Sequence, residues 1–382
     1  MATGAKGNLL TDKQAQSVYK HELLRQYMRP FIAMTGRSSQ NNEVLIVDGF
    51  AGRGRYDDGQ PGSAEFIMKA IQDLKNSRNV TGIFIEKSRN NFATLKNVVD
   101  EYSASGLDVR AQRGAMEDHL EKVSREAFQK PLLLFVDPCG LGLPYGVVSD
   151  FLSDRLHQNV PTEVLLNFSC DAVRRAAGLV VANKEEGLSR FDAAYGGEWW
   201  RELAVSTRRD SRKGDFSDVP EVIAREYVRR LYQSVGMKVV VFPVRRRFHH
   251  QPIYHLVFAT RSEYGVWVMA DAAAVARQRW MRHLGVIGEE ELVQPAIFGP
   301  SDEIEILIDK DQESAVLRIQ KNLLSLLSEK REFKLVSHVE RVFSGVLGVA
   351  TEKNVRRAIE ESGEIKVVAR NSRVREWVIS KA

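Results

Sequence analysis

A glycine-rich stretch, VDGFAGRGRYDDGQPGS at residues 47–63, follows directly on the apolar run 44–47. Its five glycines remove the side chains that would keep a backbone away from a ligand, and they allow turns that other residues resist. Asp48 stands just before the first glycine, where a carboxylate suits a ligand with a cationic amino group. In open α/β sheets, ligands bind beyond the carboxyl ends of the strands. The stretch therefore predicts a ligand-binding loop, with an ordinary tight turn as the alternative.

Two further acidic residues also end apolar runs. Glu86 closes the run 80–86, where a carboxylate can hydrogen-bond the two hydroxyls of a ribose. Asp137 closes a later run and opens the sequence Asp-Pro-Cys-Gly. An acid at that point can hold a reacting amine in place, and orientation removes a large part of a transfer barrier. The alternatives are a solvated strand end for Glu86 and a strand-to-turn junction for Asp137.

Seven short runs with strand character must position these acids. The first five alternate with stretches of helical pattern, which predicts an α/β fold with a parallel sheet and helices on both faces. Only ten residues separate the last two runs. Because that is too short for a helical crossover, these two strands should be antiparallel. Five parallel strands followed by an antiparallel pair is the seven-strand, Rossmann-like layout of class I methyltransferases. The runs are 43–48, 80–86, 107–112, 132–137, 162–168, 237–243 and 254–260.

The chain is predicted to contain three segments. Residues 1–270 form the methyltransferase-like domain. This domain carries a helical insertion at about 169–236, whose polar run 206–218 is the best candidate for a disordered loop. Residues 271–330 form a helical connector, and residues 331–382 form a winged-helix-like domain.

The winged-helix prediction rests on the pattern of its elements. A helix at 335–344 is followed by a second helix that opens at Thr351, a favourable N-cap. Residues 365–370 and 373–379 then form a hairpin, the wing. The second helix should bury Val355, Ala358 and Ile359, and it should expose Lys353, Arg356 and Arg357.

Composition sets outer limits on function. The 382 residues are 43% hydrophobic, enough for two or three domains, and the net charge is +5. Residues 330–382 carry 12 lysines and arginines against 7 acidic residues, a positive end that permits a nucleic-acid partner without requiring one. Two cysteines exclude a disulfide framework, and we predict no metal site. Without a signal-peptide core or a run of membrane length, we expect a cytoplasmic protein that makes no membrane contact.

Several motifs resemble those of the three-Cys-motif partner proteins, a methyltransferase-like family whose substrate is poorly defined. The resemblance covers most of residues 13–275. It implies S-adenosylmethionine as the cofactor and a three-cysteine, radical-SAM-like protein as a partner. The motifs are KHELLRQYMRPF (20–31), VDGFAGRGRY (47–56), GSAEF (62–66), FIEKSRNNFATL (84–95), FVDPCGLGLP (135–144), LNFSCDAVRR (166–175), YGGEWW (195–200) and YHLVFATRSEYGVWVMADA (254–272). The residues expected to bind the cofactor are Asp48, Gly49, Phe50, Gly52, Gly54, Glu86 and Glu117.

Two positions depart from this pattern. An acid is expected beside the adenine directly after Gly114, but Ala115 stands there, so Glu117 or Asp118 must take its place. Cys139 stands where the family carries an aromatic residue, which removes a stacking surface for a base. A cysteine after proline also resembles the nucleophile of cytosine-C5 methyltransferases. Those enzymes lack the preceding acid, and an unactivated thiol is a weak nucleophile, so Cys139 is interpreted mainly as a packing residue.

The substrate side of the site is predicted from the same resemblance. Asp137, Pro138 and Cys139 resemble the fourth motif of amino methyltransferases and of tRNA guanine-N2 methyltransferases, which implies that Asp137 orients the accepting nitrogen. Three residues match a family motif after the fifth strand and either line the substrate side or cap the next helix: Asn167, Ser169 and Arg174. The candidates for contact with nucleic acid are Arg245, Arg246, Arg247, Lys353, Arg356 and Arg357; a solvated hairpin tip is the alternative for the first three.

The leading hypothesis is a methyltransferase that acts on DNA or RNA, at an exocyclic amine of a base. A first rival is a non-catalytic, methyltransferase-like binding subunit for a radical-SAM-like protein or a nucleic acid, which Ala115 and Cys139 favour. A second rival is a nucleotide-dependent oxidoreductase, against which the antiparallel strand pair and the acid-proline sequence both argue.

Overall fold

The computed structural model of the chain describes residues 15–138, 140–212, 214–290 and 299–382. These residues form two compact units. The first is Phe31–Arg261, and the second is Ser262–Ala382 together with residues 15–30. The division therefore falls after Arg261 instead of after residue 270. The segments 271–330 and 331–382, which the sequence separates into connector and domain, belong to one unit.

Helices and strands of the first unit alternate as predicted. The opening helix α1 spans Ala15–Ser38 and enters this unit at Phe31. It is followed by β1 Glu43–Asp48, α2 Ser63–Leu74, β2 Asn79–Glu86, α3 Arg89–Ala104, β3 Asp108–Arg113, α4 Met116–Glu126, β4 Leu132–Val136, α5 Tyr145–His157, β5 Thr162–Ser169, α6 Cys170–Val181, α7 Leu188–Tyr195, α8 Trp199–Asp210, α9 Val219–Val235, β6 Lys238–Val244 and β7 Tyr254–Thr260.

The seven strands form one sheet in the order β3-β2-β1-β4-β5-β7-β6. Strands β1 to β5 are parallel, whereas β7 is antiparallel to both β5 and β6. This is the Rossmann-like sheet of class I methyltransferases, so the predicted fold class is confirmed. Neighbouring residues such as Leu45 and Ile46 point to opposite faces, and both are fully buried. Burial on both faces explains why the strands read as continuous apolar runs.

The insertion consists of helices α6 to α9, and it corrects the prediction of a disordered loop at 206–218. Helix α8 continues to Asp210, so the first part of that run is helical. The remaining described residues, up to Asp218, form turns and bends before α9. Trp200 is completely buried, and its indole nitrogen donates to Asp192 at 3.0 Å. This packing holds α8 in place. The charged residues of its last turn make that part of the sequence look like a polar loop.

Besides residues 15–30 of α1, the described part of the second unit contains two long α-helices, two short ones and a small sheet. Helices α10 Glu263–Glu290 and α11 Pro300–Glu329 pack on each other. Strands β8 Glu332–Lys334, β9 Ile365–Ala369 and β10 Val378–Lys381 form an antiparallel sheet in the order β8-β10-β9, and the short helices are α12 Val339–Val342 and α13 Glu352–Glu360. Among the described residues, no helix is long and apolar enough to cross a membrane.

The C-terminal elements partly match their predictions. The helix predicted at 335–344 is a 3-10 turn, Leu335–His338, followed by the single turn of α12. Thr351 caps α13 as predicted, and its N–H donates to Asn354 Oδ1 at 2.8 Å. The strand predicted at 373–379 begins only at Val378, after another 3-10 turn. The winged-helix assignment stays a prediction that element order alone supports.

One buried cation, the guanidinium of Arg155, hydrogen-bonds to several elements of the first unit. Arg155 on α5 is 1% exposed, and its burial lowers the pKa of the guanidinium to about 10. It donates to Thr162 Oγ1 at 2.9 Å and to the carbonyls of Ala127 and Lys130 at 2.6 Å each. A further bond joins it to Gln158 Oε1 at 2.7 Å. Because these acceptors lie at the ends of α4, α5 and β5, Arg155 fixes where β4 enters the sheet.

Replacing Arg155 by methionine should destabilise the first unit by about 3 kcal/mol, because two buried carbonyls lose their donor. Urea unfolding at pH 7 measures this loss. The matched control is Arg125→Met, whose side chain is 73% exposed and whose loss should cost less than about 0.5 kcal/mol. Equal losses for the two variants would contradict a structural role for Arg155.

Candidate active site

The sheet order brings the predicted acids to one edge. Strands β2, β1, β4 and β5 are neighbours and run in the same direction. Their carboxyl ends therefore lie side by side. Glu86 ends β2, Asp48 ends β1 and Asp137 follows β4. The topology thus collects residues that are up to 89 positions apart in the sequence, as the strand-end argument requires.

Asp48 holds the glycine loop in place through hydrogen bonds inside the protein. Its side chain is completely buried. Its carboxylate accepts hydrogen bonds from the Phe50 N–H at 3.1 Å and from the Ser63 hydroxyl at 2.8 Å. Ser63 is the first residue of α2. The carboxylate predicted to face a ligand's amino group is therefore turned inward, and it joins the end of β1 to the loop and to the next helix.

Two glycines of the loop meet strict backbone requirements. At Gly49 a Cβ atom would lie 2.9 Å from Met116 Sδ, so the flexible Met116 side chain would have to shift. Gly52 has a φ of +61°, the left-handed region that favours glycine. In this conformation the Gly52 N–H points to Glu86. The glycines therefore let the loop pass closely between β1 and the start of α4.

Glu86 connects the loop to the end of β2. Its Oε2 accepts from the Gly52 N–H at 2.9 Å and its Oε1 accepts from the Ser88 N–H at 2.6 Å. An ionised carboxylate has about four acceptor positions, so about two remain for a ligand. The side chain is half-buried and lines a pocket. Glu86 is therefore both fixed in orientation and available.

The open pocket lies at this edge and has a volume of about 390 Å³, within the range of small-molecule sites. Acidic and basic side chains share its wall, which suits a ligand that carries both charges. Its lining residues are Gly49, Phe50, Glu86, Lys87, Gly114, Ala115, Met116, Glu117, Leu141, Gly142, Pro144, Arg190 and Ala193.

The start of α4 forms one side of the open pocket. Ala115, where an acid was expected, lines the pocket together with Glu117. Asp118, the other predicted substitute, is absent from that wall, and its N–H donates to the Ala115 carbonyl at 3.2 Å. The first N–H groups of a helix have no partner within the helix. On this side the pocket is therefore bordered by a helix N-terminus and by the carboxylate of Glu117.

Asp137 is paired with a residue of the next strand. The Asn167 Nδ2 donates to Asp137 Oδ1 at 2.8 Å. Asp137 is half-buried and Pro138 is buried, whereas Cys139 lies outside the described residues. Asn167, unlike Asp137, contributes to the wall of a second pocket. The structure thus places a polar pair at the carboxyl ends of β4 and β5.

The aromatic pocket, as we name this second pocket, is small, with a volume of about 30 Å³. It has an aromatic wall: the rings of Tyr195 and Tyr227 lie 5.4 and 5.1 Å from that of Phe168. It shares Leu141 and Gly142 with the open pocket, so the two adjoin. Its lining residues are Val136, Gly140, Leu141, Gly142, Leu143, Val148, Leu166, Asn167, Phe168, Ser169, Ala172, Ala194, Tyr195 and Tyr227.

Sequence reasoning missed most of this second pocket. Tyr195 and Tyr227 come from the insertion helices α7 and α9, and no pattern in the sequence brings them together. Asn167 and Ser169 had been considered as lining residues, and both line the pocket. Ser169 also caps α6, because its Oγ accepts from the Ala172 N–H at 3.2 Å. Arg174 is instead paired with Asp171 at 2.8 Å.

The predicted arginine cluster lies at the same edge of the sheet. Arg245, Arg246 and Arg247 follow the end of β6. Because β6 and β7 are antiparallel and Tyr254 of β7 pairs with Ser169 of β5, this turn lies beside the carboxyl ends of the parallel strands. Arg245 is half-buried, and the other two arginines are exposed.

The predicted contacts on α13 differ among themselves. Lys353 and Arg356 are exposed, and the Arg356 guanidinium lies over the Trp377 ring, 5.7 Å from its centre. Arg357 is bound by the carboxylates of Glu313 and Glu361, at 2.9 Å each. Because two acids already neutralise Arg357, it is less suited to a phosphate than its neighbours.

A hydrogen-bonded Cys–His–Glu series, in which Cys170 and His255 are buried and Glu221 is partly exposed, lies beside the aromatic pocket. Cys170 Sγ is 3.2 Å from His255 Nδ1, and His255 Nε2 is 2.8 Å from Glu221 Oε2. The order matches a nucleophile, a base and an orienting acid. Cys170 is, however, completely buried, and burial raises the pKa of its thiol to about 12. Since the thiolate is the reactive form, we interpret this series as structural.

Known proteins resemble this chain only distantly. No family model and no curated protein matches it. A solved methyltransferase domain of bacterial CtHen1 is 12% identical, and the match covers 62% of this chain and 99% of that one with a TM-score of 0.31. Aeropyrum pernix fibrillarin, solved with natively bound S-adenosyl-L-methionine, is 10% identical over 61% and 76% of the two chains, with a TM-score of 0.30. An uncharacterized protein from Listeria monocytogenes serotype 4b is 9% identical over 87% and 97%, with a TM-score of 0.29.

Likenesses at this level carry no argument about activity or substrate. The fold assignment rests on the strand order of the sheet. The three-Cys-motif partner family stays a prediction, because no family model matches the chain.

The Glu221–His255 contact predicts a pH-dependent stability. The hydrogen bond from His255 lowers the pKa of Glu221 from 4.5 to about 2. The contribution of this contact to the free energy of unfolding should therefore be present above pH 4.5 and lost as the pH falls toward 2. Because Glu221 is 45% exposed, solvent screening limits this contribution to about 1 kcal/mol.

Glu221→Gln should accordingly have a lower free energy of unfolding than wild type at pH 7. This difference, the gap, should close between pH 4.5 and pH 2. Urea unfolding at several pH values measures the gap. Glu202→Gln, at an exposed position on α8, is the matched control. A gap that is independent of pH would contradict this assignment.

Proposed function

We propose that the chain is an S-adenosylmethionine-dependent methyltransferase that acts on nucleic acid, at an exocyclic amine of a base. One observation carries the proposal. The ends of β1 and β2 and the start of α4 surround a single pocket, and the polar pair of Asp137 and Asn167 follows on the next two strands. A cofactor site and an acceptor site would thus be adjacent on one sheet edge.

The residues of the open pocket fit this cofactor. The remaining acceptor positions of Glu86 suit the two hydroxyls of a ribose, and the N-terminus of α4 with Glu117 suits an adenine edge. Arg190 is exposed at the wall, where a guanidinium can bind a carboxylate. Asp48 acts through the loop and not by contact, since it is completely buried.

The chemistry requires orientation more than acid or base strength. The cofactor supplies an electrophilic methyl group on a sulfonium, which a neutral nitrogen can accept without a metal. This chain's residues would hold the amine and exclude water. Asp137 is kept in one orientation by Asn167, and fixing a reactant in this way is a major source of rate enhancement.

Exposed positive charge supports a nucleic-acid substrate. The arginine turn after β6 lies at the sheet edge that carries the pockets. Lys353 and Arg356 are exposed on α13. Phosphate contacts by such side chains supply most sequence-independent affinity. The turn would contact substrate near the reacting base, and α13 would contact it independently.

Calorimetric titration should give a dissociation constant on the order of micromolar for S-adenosylmethionine and no heat with NAD. Glu86→Gln should weaken binding roughly 10- to 100-fold, because an amide cannot accept every hydrogen bond that the carboxylate accepts. Glu121→Gln changes the same charge on α4, at a side chain that is 84% exposed. This control should bind like wild type.

Binding of NAD without S-adenosylmethionine would overturn the proposal and favour an oxidoreductase. Binding of S-adenosylmethionine without transfer of labelled methyl to DNA, RNA or nucleotides would favour the non-catalytic binding subunit instead.

A second prediction concerns α13. The double variant Lys353→Ala/Arg356→Ala should lower the salt dependence of duplex binding by about two phosphate contacts. Fluorescence anisotropy with duplex DNA and duplex RNA at several salt concentrations measures the slope. Arg318→Ala/Lys321→Ala removes the same charge from exposed positions on α11 and should leave the slope unchanged. Equal slopes for both variants would exclude α13 as a contact surface.

A further inference from the structure

Two buried polar atoms in the wall of the aromatic pocket have no hydrogen-bond partner among the described residues. They are Asn167 Oδ1 and the Tyr195 hydroxyl. Tyr195 is only 4% exposed. A buried polar group without a partner costs free energy that folding must recover elsewhere. Such groups therefore mark places where a bound molecule supplies the missing partner.

The orientation of Asn167 is determined by its neighbour. Its Nδ2 donates to the Asp137 carboxylate at 2.8 Å, and an ionised carboxylate can only accept. The amide nitrogen must therefore face Asp137, which leaves Oδ1 as an acceptor on the other side. A reversed amide would place two acceptors against each other. The missing partner of Asn167 is thus a hydrogen-bond donor.

The pocket is too small for a whole base. Its volume of about 30 Å³ holds one water-sized group, since a single water needs about 10–15 Å³. An amino group at the edge of a ring fits this space, whereas the ring itself stays outside. The Tyr195 hydroxyl can donate or accept, so it can bind a second polar atom on the same edge.

We propose that Asn167 and Tyr195 form the acceptor subsite, which takes the amino-bearing edge of a base. Asn167 Oδ1 accepts one N–H of the amine, and the Tyr195 hydroxyl binds a neighbouring polar atom of the ring. This inference rests on the proposed function for its reaction. In that reaction the nitrogen lone pair forms the new N–C bond, and the C–S bond breaks with its electrons remaining on sulfur. The displaced N–H proton then passes to water or to Asp137.

The subsite also has a structural connection to the cofactor site. Leu141 and Gly142 belong to the walls of both pockets. The two pockets therefore adjoin at the segment that follows β4. Asn167 holds the amine and Tyr195 holds the ring beside it, and neither side chain takes part in the bonds that form and break.

The test compares bases that differ only in the amino group. Three pairs of single-stranded oligonucleotides carry adenine or purine, guanine or hypoxanthine, and cytosine or 2-pyrimidinone at one position. Their affinities for protein saturated with S-adenosylhomocysteine are measured by fluorescence anisotropy. Wild type should prefer the amino base of at least one pair by about tenfold, the gain expected from well-placed hydrogen bonds to a base edge.

Asn167→Ala should abolish that preference, because it removes the acceptor of the amino N–H. Tyr195→Phe should instead weaken binding of both bases of the preferred pair, about equally, because both carry the ring atom that the hydroxyl binds. Tyr145→Phe is the matched control, because the Tyr145 hydroxyl bonds Ser234 Oγ at 2.9 Å and Tyr145 is not part of the pocket wall. It should keep the preference. Tyr195→Phe should also melt no lower than wild type, because it removes a hydroxyl without a partner. If Asn167→Ala fails to fold, the loss of affinity in Tyr195→Phe still tests the subsite.

A preference that survives in Asn167→Ala, an unchanged affinity in Tyr195→Phe, or no preference in wild type for any pair would overturn the subsite. A lower melting temperature for Tyr195→Phe, with its affinity for both bases unchanged, would show that its hydroxyl binds only water and would remove Tyr195 from the subsite. Titration of each protein with S-adenosylhomocysteine separates this proposal from the proposed function. If wild type does not bind S-adenosylhomocysteine, the proposed methyltransferase function is refuted. The comparison of bases, repeated without S-adenosylhomocysteine, would then still test the subsite.

Discussion

The burial of one carboxylate, that of Asp48, governs the geometry of the candidate site. A charge removed from water is costly unless hydrogen bonds compensate for it. Here the Phe50 N–H and the Ser63 hydroxyl provide them. To supply these donors, the loop must fold back over the end of β1 and α2 must begin beside it. That fold in turn directs the Gly52 N–H to Glu86. The second acid is therefore oriented by the burial of the first.

The parts of the fold that the sequence predicts well are those set by burial. Strands buried on both faces need apolar residues at every position, so runs such as 43–48 are visible without any structure. The short spacing before β7 likewise indicates an antiparallel pair. Asp48 and Glu86 could be located because strand ends are predictable. The inward orientation of Asp48 could not, since it depends on Ser63, fifteen residues later, reaching back to the same carboxylate.

What the sequence does not predict depends on contacts between distant elements. The aromatic pocket requires Tyr195 of α7 and Tyr227 of α9 each to pack against Phe168 of β5. Helical periodicity predicts each helix but not what it packs against. Arg357 is similar: its position on α13 predicts exposure, but Glu313 on α11 binds it. The apolar positions at 335–344 have helical spacing, yet they pack as a 3-10 turn and one short helix. Local patterns therefore give elements, and packing decides which side chains remain available.

The segment after β4 forms part of the wall of both pockets. Gly140 has a φ of +142°, a conformation that side chains resist, and Gly142 belongs to both walls. A Cβ atom at Gly142 would meet only Pro138 at 3.8 Å, an ordinary contact, so backbone packing alone does not require glycine there. A longer side chain at this position would have to occupy one pocket or the other. The absence of a side chain at Gly142 therefore leaves both pockets unobstructed where they adjoin.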